Sequence, residues 1–157
     1  MVKLTKYVKD PYIVNFINIR LEEYQSHIVL GDFPYAAWNN TETYESGKWS
    51  GRFFSHPVKE GCISTMYIPH YCNLFCLLHE LGHVKDYKEG KVFESVWEDE
   101  VSAWVNAVHF INMMDIVIDP NDLIFELENT LATYVKSCDN TDWINAVDLI
   151  ISKIKNK

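Results

Sequence analysis

The sequence predicts an α+β fold: one helix, then a turn-rich β-like stretch, then helices to the end. Three observations carry it. Apolar residues recur at helical spacing near the start. Residues 32–69 hold most of the Gly and Pro, set among aromatic and β-branched residues. From residue 70 onward, helical stripes follow one another. The chain has 157 residues, 48% of them apolar, with 5 Trp, 9 Tyr and 8 Phe. That is enough for a sizeable core and excludes a disordered chain, so residues 1–157 read as a single domain.

Asp10-Pro11 supplies an N-cap and a first helical residue. Ile13, Ile17, Leu21, Tyr24 and Ile28 then follow at helical spacing, which predicts a helix that ends at Gly31. Residues 32–69 predict two to four short strands around Tyr35 to Trp38, Tyr44, Trp49 and Phe53-Phe54, and over Cys62 to Ile68. Turns are expected at Glu45-Ser46-Gly47, His56-Pro57 and Glu60-Gly61. Pro69 stops the last strand, and a helix is expected from His70 to about Lys88, with Gly90 as its C-cap. A third helix runs from about Glu94 to Met114. Asp119-Pro120 opens a fourth, striped by Leu123, Leu127, Leu131, Tyr134 and Cys138. Thr141-Asp142 opens a fifth, with Trp143, Val147, Ile150 and Ile154. The last two are expected to pair and cover a core.

Residues 79–83 read His-Glu-Leu-Gly-His. On a helix, His79 and His83 lie ~40° apart around the axis and ~6 Å apart along it, so two imidazoles can converge on one ion. Glu80 sits ~100° round, placed to take a proton from a water that the ion activates. With 6 His and 12 Glu in the chain, such a motif is expected by chance only ~0.02 times. A catalytic zinc site needs a third protein ligand and one open position. Glu89 falls where metzincins carry theirs, but they turn the chain with a glycine where Asp86 stands here. Better candidates lie in Trp97 to Trp104, with Glu100 first and Glu98 second. Ala103 and Ala107 follow Glu100, and Gly82 lies inside the motif; small residues at these places let two helices approach closely.

His79-Glu80-Leu81-Gly82-His83, with Glu100 in an E-x-x-A setting 17 residues on, resembles the gluzincin group of HExxH zinc metallopeptidases. Within that group it is most similar to small ImmA/IrrE-like and phage-encoded zincin-like proteins. The resemblance covers residues 79–107. It implies a zincin-like core with a small mixed or antiparallel sheet, an active-site helix and a helical C-terminal half. It implies one zinc ion per chain held by His79, His83 and Glu100, with Glu80 as catalytic base in peptide-bond hydrolysis. It also implies that the strand Cys62–Ile68 lines the cleft and pairs with an extended peptide. Trp104 stands where many gluzincins carry an Asp or Asn that supports a motif histidine.

Other residues have weaker claims. Asp86 and Tyr87 fall on the ligand face of the motif helix, as an orienting acid and as an oxyanion donor. His56 and His70 are candidate transition-state donors, and His109 falls on the face opposite Glu100. Trp97 and Trp104 flank Glu100 and are placed to shield it. Cys72 and Cys76 continue the stripe of His79 and His83, but ~16 Å of helix from Cys72 to His83 excludes a four-ligand site, and both read as core.

The charge balance bounds the partners. With 14 basic against 22 acidic residues the net charge is −8, which repels nucleic acid and anionic membrane. The chain has no long apolar run and no signal-peptide pattern, so a cytoplasmic protein is expected. The expected partner is a peptide or protein substrate. The rival expectation is a binding protein on the same scaffold, catalytically inert, that captures or blocks another protein.

Overall fold

A computed structural model describes residues 9–41, 58–70, 72–131 and 140–155. Among these residues the fold is α+β, with five helices and a three-stranded mixed sheet. The expected strands and turns at Tyr44, Trp49, Phe53-Phe54, Glu45-Ser46-Gly47 and His56-Pro57 lie outside the described residues, as do Tyr134 and Cys138.

Helix α1 spans Pro11–Glu23 and starts as expected, with the Asp10 carboxylate accepting from the Tyr12 amide at 2.8 Å. It does not run to Gly31. Gln25 takes φ 54°, and strand β1 follows at Ser26–Gly31. Tyr24 and Ile28 are both buried, so a turn followed by a strand puts them in the core as well as a continued helix would. The β-branched pair Ile28-Val29 suits the strand, and pairing with a neighbour decides between the two.

Strand β2 spans Ala37–Asn40 and β3 spans Ser64–Pro69. The order is β1-β3-β2, so β3 is central. It runs parallel to β1, from Ser26↔Ser64 to Gly31↔Pro69, and antiparallel to β2, from Ala37↔Tyr67 to Asn40↔Ser64. All six of its residues are buried. This corrects one expectation: from Ser64 to Tyr67 both edges of the strand are taken, and an extended peptide cannot add to it there. The uninterrupted apolar run Met66-Tyr67-Ile68 marks a strand covered on both faces.

Helix α2, Leu74–Lys88, carries the motif. It begins later than His70 because Asn73 takes the N-cap, accepting from the Cys76 amide at 2.9 Å. It ends in a Schellman turn: Gly90, at φ 74°, donates to Tyr87 O, and Lys91 donates to Asp86 O. Helix α3, Val96–Met113, starts from Ser95 and makes the most extensive helix contact in the fold, with α2. Helices α4, Pro120–Leu131, and α5, Asn140–Ser152, pack on each other. Leu123, Leu127 and Leu131 of α4 are fully buried, with Ile150 and Ile154 of the C-terminal segment. The core joins α1, the sheet, α2 and α3, with Phe16 edge-on to Phe110 at 6.1 Å between centroids. No helix among the described residues is long and apolar enough to cross a membrane.

Candidate metal centre

The motif helix buries its polar face. His79, Glu80, His83 and Asp86 are all nearly inaccessible, on a helix whose other buried positions are Leu77, Leu78, Leu81 and Val84. Burying so many ionisable groups is costly unless each has a partner. Helix α3 supplies most of the partners.

Glu100 stands between the two histidines. Its carboxylate lies 2.8 Å from His79 Nε2 through one oxygen and 3.3 Å from His83 Nε2 through the other. One ligand atom from each of the three residues lies within 4.8 Å of the other two. No other group of three or more His, Cys, Asp or Glu among the described residues meets that test. Metal ligands ~2.0–2.1 Å from a tetrahedral zinc sit ~3.3 Å from one another. The two imidazole–carboxylate separations, 2.8 and 3.3 Å through different oxygens, lie near that spacing, and two imidazoles with a carboxylate are the donor set of a three-ligand zinc site. The residues present fit the ion.

Electrostatics couple the three tightly. Burial alone would lower His83, but hydrogen bonds with Asp99 and Glu100 outweigh it and raise its pKa to about 10. Burial opposes ionisation of Glu100, yet its bonds to His79 and His83 hold its carboxyl well below the usual range. Burial pushes Glu80 up, against the pull of His79 and His83.

Each imidazole is also held by a tryptophan. His83 stacks on Trp38 of β2, with centroids 5.7 Å apart and planes 13° apart. His79 stacks on Trp104 of α3, at 4.4 Å and 25°. Trp104 therefore supports His79 by ring contact where an Asp or Asn would do so by hydrogen bond, and among the described residues His79 Nδ1 has no hydrogen-bond partner. Trp104 is fully buried and is not among the described residues lining the cavity beside the ligands, and Trp97 faces a groove against α5.

Asp99 is the residue that sequence reasoning did not single out. Its Oδ1 lies 3.1 Å from His83 Nδ1, the nitrogen turned away from Glu100. Such a contact fixes ring orientation and tautomer. Asp99→Ala is expected to weaken zinc binding ~10–100-fold, measured by competition with a chromogenic chelator. Folding stability is expected to stay within ~1 kcal/mol, because the Asp99 side chain is one-third exposed and screened.

The remaining candidates fall elsewhere. Glu98 sits at the start of α3, where its carboxylate accepts from the Glu94 amide at 3.3 Å, so it is not a ligand. Glu89 caps α2 and pairs with Lys85 in solvent. Asp86 is neither an orienting acid for a histidine nor a surface acid. It is buried between the helices, accepting from Ser102 Oγ at 2.7 Å and Asn106 Nδ2 at 2.9 Å, with Lys91 Nζ at 3.2 Å. It clamps α2 to α3. Tyr87 packs its ring against Trp38. His70 pairs with Asp32 in solvent, His109 is exposed, and His56 lies outside the described residues.

A cavity of about 570 Å³ opens beside the ligands, with His79, Glu80 and Glu100 on its wall. Cys72 is buried as expected, but Cys76 is half-buried and both line this cavity; Cys76 Sγ is 3.7 Å from Glu126 Oε2. Cavities of this size accept small molecules or a few residues of a peptide. Compared with family models, curated proteins and solved structures, the chain has no match, and the chemistry of this site rests on its own residues and distances.

Proposed function

We infer that the protein is a zinc-dependent metallopeptidase built on a zincin-like core. The observation that carries this reading is the convergence of His79, His83 and Glu100 on the wall of a cavity that Glu80 also lines. The resemblance of residues 79–107 to gluzincins supports it, as does the mixed sheet beside the motif helix.

His79, His83 and Glu100 would hold the ion. Bound zinc supplies Lewis acidity, polarising the scissile carbonyl and lowering the pKa of the attacking water. Glu80 accepts the proton of that water and passes it to the leaving amine, so that the amine departs neutral. Its place on the cavity wall beside His79 and Glu100 puts the Glu80 carboxylate next to the ligands, where that proton would be released. Asp99, Trp38 and Trp104 keep the two imidazoles aimed while this occurs.

Glu80→Gln separates the roles. The variant is expected to keep about one zinc per chain and to lose ~10²–10⁴-fold in peptide hydrolysis, read by elemental analysis beside a quenched-peptide assay. Wild-type protein that binds zinc but cleaves no peptide would overturn the peptidase reading and leave a binding protein in its place. Loss of zinc in Glu80→Gln would remove Glu80 from the role of base.

A further inference from the structure

We propose that the groove between α3 and α5 is a docking surface for a cationic amphipathic helix of a partner protein. The groove shares no lining residue with the cavity beside the ligands. It is independent of the peptidase reading: a peptidase would use it to hold a protein substrate away from the bond that is cut, and an inert binding protein to hold its partner.

The shape of the groove suits a helix. Its volume is about 430 Å³. On α3, Trp97, Val101 and Val105 follow one another at intervals of four and form a stripe ~12 Å long. Ala146 and Leu149 face it from α5. The three α3 residues are half-buried against the core, and Leu149 keeps 44% of its surface exposed. A stripe of that length accepts two turns of a helix, whose side chains at i, i+4 and i+7 span ~10 Å. Both walls are helices, which use their backbone groups internally and offer no strand edge. The occupant must therefore satisfy its own main chain, as a helix does and an extended peptide does not.

Charge selects the sign of the occupant. Helices α3, α4 and α5 contain eight Asp and Glu and no Lys or Arg, which equals the net negative charge of the whole chain. Two of the eight, Glu98 and Asp142, are exposed on the groove wall. Zinc on His79, His83 and Glu100 would offset two charges at the metal centre and leave the three helices net negative. An apolar side chain flanked by Lys or Arg gains both burial and attraction here. A second copy of this chain would press two surfaces of the same sign together. Phosphate-bearing partners are repelled for the same reason.

The test uses full-length protein and a fluorescein-labelled amphipathic peptide of about 15 residues, with Leu on one face and Lys on the other, read by anisotropy at ~0.15 M salt. It is expected to bind at least ~10-fold more tightly than the same peptide with Glu for Lys, or with Ser for Leu. Asn145→Arg places a cation in the groove from an exposed position on α5 and is expected to cost ~10-fold. Asn15→Arg, exposed on α1, changes the net charge equally and is expected to bind as wild type does. Leu149→Ser leaves the charge unchanged and is expected to cost ~5-fold through lost apolar contact. Equal affinity for the Leu/Lys and Ser/Lys peptides, or equal loss in Asn145→Arg and Asn15→Arg, would reduce the effect to attraction by an acidic protein at large and overturn the docking surface. A wild-type dimer in sedimentation that Asn145→Arg dissolves would give the groove to a second copy and overturn it as well. Zinc content, measured on the same samples by elemental analysis, reports on the metal centre separately from any of these results.

Discussion

Glu100→Ala is expected to abolish stoichiometric zinc binding and, in chelator-treated protein, to destabilise the fold by ~3 kcal/mol near pH 6. The metal effect follows from position: Glu100 is the residue that reaches the Nε2 of both histidines, so its loss leaves two ligands facing a gap. The loss should exceed the ~10–100-fold expected for removing an orienting partner such as Asp99. The stability effect has a pH signature. His83 is raised from 6.5 to about 10 in the folded protein, so its contribution is full below 6.5 and fades as pH climbs toward 10. Glu100 is depressed from 4.5, so its contribution is full above 4.5 and fades as pH falls below that. The advantage of wild type over Glu100→Ala should therefore peak between about 4.5 and 6.5 and shrink on both sides. Urea unfolding of both proteins across pH 4–10, with metal removed, measures it. A difference that grows from pH 7 to 10 would show that the histidine–carboxylate bonds are not the source. The same shift makes zinc compete with a proton on His83, so zinc affinity should rise with pH through the neutral range.

The parts of this site legible in the sequence are those fixed by one helix or by close approach of two. The spacing of four between His79 and His83 puts both rings on one face whatever surrounds them. Glu100 won over Glu98 because Glu98, three residues past the Ser95 cap, is drawn to free amides at the helix start, whereas Glu100 lies deeper, one turn before the small residue Ala103. Asp99 was harder to see. Neighbours on a helix point ~100° apart and are not expected to serve one group. They do so here because an imidazole offers nitrogens on two sides: Glu100 takes Nε2 of His83, and Asp99 takes Nδ1. Trp38 was hidden for another reason. It reaches His83 through the sheet, and strand pairing is a long-range choice that no local pattern encodes. The same holds for β1, where Tyr24 and Ile28 satisfied a helical spacing that pairing with β3 overrode. Helix starts at Asp10 and Asp119 were legible because a cap is a local bond: Asp10 Oδ1 accepts from the Tyr12 amide at 2.8 Å and Asp119 Oδ1 from the Asn121 amide at 2.9 Å.

Gly82→Ala tests whether that helix contact sets the metal geometry. In an isolated helix the change should stabilise by up to ~1 kcal/mol, since alanine is the better helix former. Here a Cβ at Gly82 would overlap the backbone carbonyl oxygen of Ala103 and come within 3.1 Å of its Cα. A main-chain atom in mid-helix cannot step aside by a rotamer change, so α3 must move away from α2. Overpacking of this kind costs ~1–3 kcal/mol or more. The movement also strains the bond from Asn106 Nδ2 to Gly82 O, now 3.0 Å, whose loss costs ~1 kcal/mol. Net destabilisation of ~2 kcal/mol or more is the expected result, from overpacking and the lost bond set against the propensity gain. Glu100 lies three residues before Ala103 on the displaced helix, so its distances of 2.8 and 3.3 Å to the histidines must lengthen, and zinc affinity should fall with stability. Adding Ala103→Gly should not restore either quantity, because the obstruction is the Ala103 main chain and not its methyl group. A Gly82→Ala protein that binds zinc like wild type and unfolds at a higher urea concentration would mean that the two helices do not touch at this point, and the account of how Glu100 reaches His79 and His83 would fail with it.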